Sequence, residues 1–478
     1  MSCGCFFQAL VHADSQLVRE HSLSPSVGCG GGLSGIERSI IRITDLAWGG
    51  QGLGRFEGKV VFVPFTLPGE LVEIEITGSK KNYSQGNLFR LLEASPDRID
   101  PPCFFYRKCG GCQLQHLDPL KQIQEKEKLF RQGMNHALGQ KEILIKPALP
   151  STQTLGYRHR LYLKSAWNND RFIMGFYKAG SHEVVPITHC LLANGEINKL
   201  LPHLQDIIQG LRYTQWTPEI EIQIIENPFR GGLVFISPEG LTADKRKKIT
   251  EGLRSQTRLE YILFQESNKP GWRSEHPFSK EKDSPEFELP AAETGLSRDL
   301  KMTCFPQVFT QINLALNRRL IAELADLDLF DLQDRVLDLY CGLGNFSLPL
   351  SLMVEEVLGL EVFPLAASNA RWNQKRNQIT NCKFVQAKAE EVFKQALWQN
   401  KLFSKVFLDP PRSGAREVVS WLDTPALRGI LYLSCNPMTL FRDLKLLMDK
   451  GWRVEWTRPI DFFPQTFHLE SLTYLSRK

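Results

Sequence analysis

Apolar and polar positions change rhythm along the chain. From Ile40 to about Leu92 the period is two. Ile41-Arg42-Ile43, Lys59-Val60-Val61-Phe62-Val63-Pro64 and Leu71-Val72-Glu73-Ile74-Glu75-Ile76 are separated by Gly49-Gly50-Gln51-Gly52-Leu53-Gly54 and Leu67-Pro68-Gly69-Glu70. Alternating runs between glycine and proline turns predict short strands closing into a small barrel. Such barrels bind single-stranded nucleic acid or serve only as structure, and the near balance of charge here favours neither. Asp118-Pro119 then predicts a helix start, Asp as cap and Pro at the first position. Leu120, Ile123, Leu129, Phe130 and Met134 mark its apolar face. Residues 155–265 mix strand and helix patterns. Alternation over Tyr157–Lys164 puts Arg158, Arg160 and Lys164 on one basic face, either an RNA contact or a solvated sheet face. Residues 267–298 are polar and contain proline, as a loop or linker does.

From Phe309 the pattern changes again. A helix-like segment through Arg318-Arg319-Leu320 precedes the apolar run Arg335-Val336-Leu337-Asp338-Leu339, and further apolar runs recur at 357–360, 406–408 and 430–433. Helical patterns separate them. This is the alternation of a parallel, doubly wound sheet.

Composition sets bounds on this picture. A chain of 478 residues divides into about three domains. With 42% hydrophobic and 23% charged residues it is neither collagen-like nor disordered throughout. No run of about 18 apolar residues predicts a membrane span. The net charge of +5, from 58 basic and 53 acidic residues, permits an RNA partner without demanding one. Residues 1–36 are rich in Gly and Ser and read as a disordered extension, and Met1-Ser2-Cys3-Gly4-Cys5 does not resemble a secretory signal. Eleven cysteines, an odd number, argue against a disulfide scaffold and for a reducing cytoplasm. Nothing points to an obligate protein partner, so a monomer is expected.

The chemistry-bearing residues cluster at the predicted strand ends. Asp338-Leu339-Tyr340-Cys341-Gly342-Leu343-Gly344-Asn345-Phe346 sits where the first strand gives way to a helix, and glycines there let a ligand approach the backbone. The third glycine of a dinucleotide fingerprint is missing; Ser347 holds its place. Glu361 follows the second strand, where an acid accepts hydrogen bonds from ribose hydroxyls. Asp409-Pro410-Pro411-Arg412 ends a later one. In this order they look like an S-adenosylmethionine methyltransferase core. Ser434-Cys435-Asn436-Pro437 ends the next strand, so Cys435 is expected in the same cleft; the bland alternative is a core cysteine. Cys341 is a rival thiol, but lies in the glycine turn. A thiol beside a methyl donor fits methylation of pyrimidine carbon 5. Addition of sulfur at carbon 6 makes carbon 5 nucleophilic, and a base must later take the carbon 5 proton. Glu470, in Phe463-Pro464-Gln465-Thr466-Phe467-His468-Leu469-Glu470, can supply that base. Finally, Cys103-x5-Cys109-Gly110-Gly111-Cys112 with a distant Cys190 suggests a four-thiolate site, which selects zinc or an iron–sulfur cluster; the bland alternative is unligated cysteines. The single Cys-x2-Cys pair favours [4Fe–4S] over zinc.

With these motifs the chain resembles the RNA uracil-5 methyltransferases, in particular the 23S ribosomal RNA branch with a TRAM barrel and an iron–sulfur cluster, from about residue 37 to 478. The resemblance implies a multidomain fold. An OB-like TRAM β-barrel covers 37–95, a central α+β domain with the cluster 96–298, and a C-terminal α/β, Rossmann-like methyltransferase domain 299–478. It implies that Gln311, Tyr340, Asn345, Glu361 and Asp409 bind S-adenosylmethionine, that Cys435 is the nucleophile and Glu470 the base. Cys103, Cys109, Cys112 and Cys190 would hold the [4Fe–4S] cluster. Lys388 departs from the pattern, standing where the family often has Asp or Asn at a position expected near the adenine. Pro306-Gln307-Val308 loosens the motif before Gln311, and residues 1–36 and 267–298 have no counterpart. The implied function is carbon 5 methylation of a uridine in RNA, foremost 23S rRNA. Alternatives are the same chemistry on tRNA, carbon 5 methylation of cytidine, and a non-catalytic RNA-binding protein with a redox-sensing cluster.

Overall fold

The period-two segments form a six-stranded sheet in the computed structural model, which describes residues 38–139, 143–226, 229–267, 269, 271–394 and 403–477. The extension expected over residues 1–36 lies outside the described residues. The strands are β1 (Arg38–Arg42), β2 (Asp45–Leu46), β3 (Gln51–Phe56), β4 (Lys59–Pro64), β5 (Leu71–Ser79) and β6 (Tyr83–Glu93). Their order is β1-β5-β6-β4-β3-β2. The Thr44 N–H donates to the Leu53 carbonyl at 2.7 Å, tying the end of β1 to β3 and bringing the two edges together. Ile41, Ile43, Val61, Val63, Val72 and Ile74 fill the interior. Every second residue of these strands faces inward, as the alternation predicts. Gly52 is required by contact: a Cβ there would sit 2.1 Å from Thr66 Oγ1.

The expected helix spans Pro119–Leu138. Asp118 Oδ1 accepts from the Leu120 N–H at 2.9 Å, and Gly139 ends the helix in the left-handed conformation. Its buried face, however, differs from expectation. The buried stripe is Gln122, Lys126, Phe130, Met134 and Leu138, and Leu120 is 75% exposed. Polar Gln122 and Lys126 are buried because both find partners in the segment 461–465. Lys126 Nζ pairs with Asp461 Oδ1 at 2.7 Å and donates to the Phe463 carbonyl at 3.1 Å. Burial pulls the Lys126 ammonium below its ordinary range, and Asp461 opposes that pull. Lys126→Ala would leave Asp461 buried and unpaired, and is expected to cost about 3–5 kcal/mol. Thermal or urea unfolding measures this, and the double variant Lys126→Met with Asp461→Leu should recover most of the loss.

A two-residue strand, β7 (Leu144–Ile145), follows and joins the C-terminal sheet. The central sheet comprises β8 (Arg160–Asn168), β9 (Arg171–Tyr177), β10 (Val184–Pro186), β11 (Glu219–Glu226), β12 (Phe229–Ser237) and β13 (Tyr261–Glu266), in the order β10-β9-β8-β11-β12-β13. Helices Gly195–Leu211 and Ala243–Gln256 contribute Leu200, Leu204, Ile249 and Leu253 to its core. The basic face expected from Arg158, Arg160 and Lys164 is not an open one. Arg160 and Glu221 form a buried ion pair at 2.5 Å, and Lys164 pairs with Glu219. A charge this deep needs a partner, and Glu221 sits on the neighbouring strand β11, which the local pattern around Arg160 cannot reveal. Residues 267–298 also hold more than a linker: β14 (Glu286–Leu289) pairs with β15 (Leu300–Thr303), and Ala291–Thr294 is one helical turn.

Helix Leu314–Asp326 leads into the C-terminal sheet, made of β16 (Arg335–Leu339), β17 (Glu356–Glu361), β18 (Cys382–Gln386), β19 (Lys405–Leu408), β20 (Gly429–Ser434), β21 (Arg453–Ile460) and β22 (Glu470–Ser476). With β7 the order is β18-β17-β16-β19-β20-β22-β21-β7. Strands β16 to β20 are parallel, and β22 lies antiparallel between β20 and β21. The four apolar runs expected as strands are β16, β17, β19 and β20. They read as continuous apolar runs because helices cover both faces of such a sheet. The chain leaves β16 toward β17 on one side and returns as β19 on the other. That reversal opens a crevice at the carboxyl ends of β16 and β19.

Candidate active site

The crevice is built first by the turn after β16. Tyr340, Gly342 and Gly344 all have positive φ, +66°, +55° and +87°. A Cβ on Gly342 would meet nothing within 4 Å, whereas one on Gly344 would press Phe384 Cζ at 3.0 Å. Gly342 thus opens space and Gly344 closes the packing beneath it. Glu361 ends β17 and shapes the same turn: its carboxylate accepts from the Gly342 N–H at 3.0 Å and the Phe363 N–H at 2.7 Å. Asp409 follows β19, its N–H reaching the Leu339 carbonyl at 3.3 Å. Asp338, in β16, is 1% exposed; it accepts from Ser347 Oγ through one oxygen, and its Oδ1 is buried with no partner.

Three carboxyl groups therefore share a small volume. Burial, then the charge of Asp338 and of Glu361, pushes Asp409 up to about 8. Burial raises Asp338 to about 7, with Glu361 adding to it and Ser347 opposing. Glu361 is also raised by burial, against its backbone N–H donors. A cation placed among them would favour their ionised forms. Asp338 was not singled out in the sequence as a site residue, because an Asp inside an apolar run reads as part of the strand.

Cys435 stands one residue beyond β20. Asn436 caps the following helix, Pro437–Asp449, accepting from the Met438 N–H at 3.1 Å and donating to the Arg412 carbonyl at 3.1 Å. Ser434 is in register with Ser471. One step further along an antiparallel ladder sets Cys435 opposite Glu470, with both side chains on one face of the sheet. The electrostatics agree. Burial, then the charges of Glu470 and Asp409, pushes the Cys435 thiol up to about 12, and Arg412 works against them. Glu470, 4% exposed, is raised well above the usual carboxyl range by burial and Asp409, with Arg412 opposing. Arg412 is the residue that motif reading underrated. Its guanidinium donates to His468 Nε2 at 3.3 Å, and burial and the Arg412 charge keep that imidazole neutral.

The structure thus gathers Cys435, Glu470, Asp409 and Glu361 around one crevice. The other sequence candidates stand as follows. Tyr340 is half-buried, and its hydroxyl donates to Glu390 at 3.4 Å. Asn345 exchanges two 2.9 Å hydrogen bonds with Asn317, so its amide is engaged with the helix Leu314–Asp326. Gln311 is 4% exposed, between the unpartnered hydroxyl of Thr310 and Asn313, which caps that helix. The rival thiol Cys341 is buried against Gly359. Lys388 is exposed and pairs with Glu391 at 3.8 Å.

Cys103, Cys109, Cys112 and Cys190 are all half-buried free thiols. Burial raises Cys109 to about 11, with Cys190 and Cys103 adding to the rise. Cys112 goes to about 12 for the same reason, with Cys190 and Cys109 contributing. The four are thus electrostatic neighbours. Among the described residues, however, no three His, Cys, Asp or Glu side chains stand in a metal-holding arrangement. The Gly111 N–H donates to Cys109 Sγ at 3.4 Å.

An acid-lined glycine turn at the switch point of a doubly wound sheet is where such folds bind a nucleotide-type ligand, and comparison with known proteins supplies the class: a TRAM-bearing methyltransferase. Residues 40–89 match the TRAM domain and residues 294–478 match the tRNA (Uracil-5-)-methyltransferase family. A 23S rRNA (uracil(1939)-C(5))-methyltransferase RlmD of Vibrio cholerae is 33% identical over 435 residues, 90% of this chain and 93% of that one. The enzyme of the same description from Erwinia tasmaniensis is 34% identical over 441 residues, 92% and 96% of the two chains. The chain belongs to the RNA uracil-5 methyltransferase family, in its 23S rRNA branch. The fold is shared with the crystal structure of Pyrococcus abyssi tRNA (uracil-54, C5)-methyltransferase in complex with S-adenosyl-L-homocysteine: TM-score 0.68, 23% identity, 92% of this chain and all of that one covered. No helix among the described residues is long and apolar enough to cross a membrane.

Proposed function

We propose that this protein methylates carbon 5 of a uridine in RNA, foremost 23S rRNA, with S-adenosylmethionine as donor. The observation that carries this reading is the opposition of Cys435 and Glu470 at the carboxyl edge of the sheet, beside the acid-lined turn. The thiolate of Cys435 adds to carbon 6 of the uracil ring, and the electron pair moves to carbon 5 and the carbonyl as an enolate. Carbon 5 attacks the sulfonium methyl group; the C–S bond breaks and S-adenosylhomocysteine leaves. Glu470 takes the proton from carbon 5, the ring electrons return, and the bond to Cys435 breaks. Glu470 passes that proton to the thiolate, so the net proton released is the one the thiol first lost. A carboxyl held above its usual range is the stronger base for this step. The sulfonium charge and Arg412 offset the acids that hold the thiol protonated in the free protein.

Gln311, Tyr340, Asn345, Glu361 and Asp409 form the cofactor site in this reading, and Asp338 joins them. The charge set supports it, because the ligand is a cation. As pH rises, Asp338 and then Asp409 ionise at about 7 and about 8, and the ionised forms favour the sulfonium. Affinity for S-adenosylmethionine is expected to rise across that window, by up to about tenfold per pH unit for each linked proton. S-adenosylhomocysteine, a neutral thioether at sulfur, should show a flatter profile. Calorimetric titration of both ligands from about pH 6 to 9 tests this; equal slopes would remove these acids from the sulfonium's surroundings.

The four cysteines fit a [4Fe–4S] cluster in donor chemistry. All are soft sulfur ligands, they crowd one another's charge, and the Gly111 N–H already points at one sulfur, as backbone donors do around such clusters. Cys103, Cys109, Cys112 and Cys190 would hold it, and when bound it supplies a cross-link between the 103–112 loop and residue 190. Four protein ligands leave no open iron position for substrate chemistry. Nucleoside analysis of ribosomal RNA from cells with and without the protein decides the whole reading. Loss of one 5-methyluridine from 23S rRNA is expected; unchanged 23S rRNA with loss from tRNA would move the substrate, and no loss anywhere would end the proposal.

A further inference from the structure

The segment that delivers Glu470, residues 461–469, is gripped by a part of the chain some 340 positions earlier. Gln465 lies at its centre with φ of +70°, a conformation that a residue with a Cβ adopts only when its surroundings hold it. Four hydrogen bonds do so. Its N–H donates to Gln122 Oε1 at 2.8 Å, its side-chain Oε1 accepts from Gln122 Nε2 at 3.0 Å, and its carbonyl accepts from the N–H groups of Gln113 and Leu114 at 3.1 and 3.0 Å. Gln122 Nε2 also reaches the carbonyls of Leu114 and Leu117, at 3.1 and 2.9 Å. The hydroxyl of Tyr157 donates to the Pro464 carbonyl at 3.1 Å. Gln122 and Gln465 are 1% and 3% exposed. A buried amide on the core face of a helix costs stability unless every polar atom is satisfied. Here the satisfied amide joins the Leu114 and Leu117 carbonyls to Gln465, five residues before Glu470.

We propose that Gln122 is a positioning residue for the reaction: the Gln122–Gln465 amide clasp fixes the 461–469 segment so that Glu470 faces Cys435. This rests on the roles given above to Cys435 and Glu470. Gln113 directly follows Cys112, so the same clasp ties the cysteine loop to the segment carrying the base. Loss of the clasp affects the proton-removal step more than cofactor binding, because Glu361 and the glycine turn lie on other elements.

The test uses the full-length protein, S-adenosylmethionine and an RNA substrate. Gln122→Glu turns the donor that faces three acceptors into a fourth acceptor. Gln122→Met, of similar length and apolar, removes both clasp bonds without adding charge, and decides the matter where the Glu variant does not fold. Asp334→Asn serves as the comparator, since it breaks a buried ion pair with Lys405 at the opposite end of the sheet. The clasp variants are expected to lower kcat about tenfold or more, leave the affinity for S-adenosylmethionine within about twofold, and accumulate a covalent protein–RNA band on a denaturing gel. The comparator should lose melting temperature without accumulating that band. Clasp variants that lose only melting temperature, with kcat and adduct fraction like the comparator's, would overturn the inference. A Glu470→Gln control that forms no adduct in the same assay would instead overturn the role of Glu470 on which it rests.

Discussion

Cys435→Ala is expected to abolish 5-methyluridine formation, a fall of at least about 10⁴-fold, equal to about 5.4 kcal/mol of barrier, while S-adenosylmethionine still binds. Carbon 5 of uracil does not attack a sulfonium unaided, and among the described residues no other thiol of the C-terminal domain can take over. Cys341 is buried against Gly359, and Cys304 and Cys382 are 0% exposed. The acids proposed to hold the cofactor lie on β16, on β17 and just after β19, none of which needs the Cys435 side chain for its position. Cofactor affinity measured by calorimetry, with methyl transfer followed by mass spectrometry of the RNA, separates the two effects. Normal methylation by this variant would remove covalent catalysis. Loss of cofactor binding along with activity would mean that Cys435 shapes the pocket rather than the chemistry.

Glu470→Gln is expected to stop the reaction later. Addition of Cys435 and methyl transfer need no base at carbon 5, so the methylated adduct forms and then cannot eliminate. Turnover should fall about 10²–10⁴-fold, the usual contribution of a general base, while a covalent protein–RNA species survives denaturation. The variant also removes a carboxyl whose charge raises the Cys435 thiol, so alkylation of Cys435 should be no slower than in the parent protein. A single-turnover experiment with methyl-labelled S-adenosylmethionine reads this directly: label should reach the covalent band at a near-normal rate. If label reached neither band nor product, Glu470 would act before methyl transfer.

What the sequence made legible follows from how such a sheet is built. The strands β16, β17, β19 and β20 are covered on both faces, so they stand out as apolar runs, and each run stops at a candidate residue: Tyr340, Glu361, Asp409 and Cys435. The opposition of Cys435 and Glu470 needed β22, whose insertion between β20 and β21 is set by long-range pairing. Local pattern also failed wherever a polar side chain was buried against a distant partner. Gln122 and Lys126 broke the expected apolar face of their helix because residues 461–465 satisfy them. Arg160 read as a basic surface because Glu221 lies on another strand.

The way the central sheet is attached has a consequence for how substrate enters. It meets the catalytic half along two crossings, and both are stitched. On one, the chain leading into the sheet is held where the Leu149 N–H bonds the Pro459 carbonyl at 2.8 Å; on the other, His159 Nδ1 meets the Ile312 carbonyl at 3.0 Å and Arg158 pairs with Asn313. The Arg160–Glu221 pair adds a third tie, Glu221 accepting from the Gln307 N–H at 3.0 Å. Among the described residues, a body anchored at two such seams has no slack stretch about which to swing. The deformation needed to bring uracil and thiol together is therefore expected to fall on the nucleic acid, which must unstack the base at a cost of a few kcal/mol.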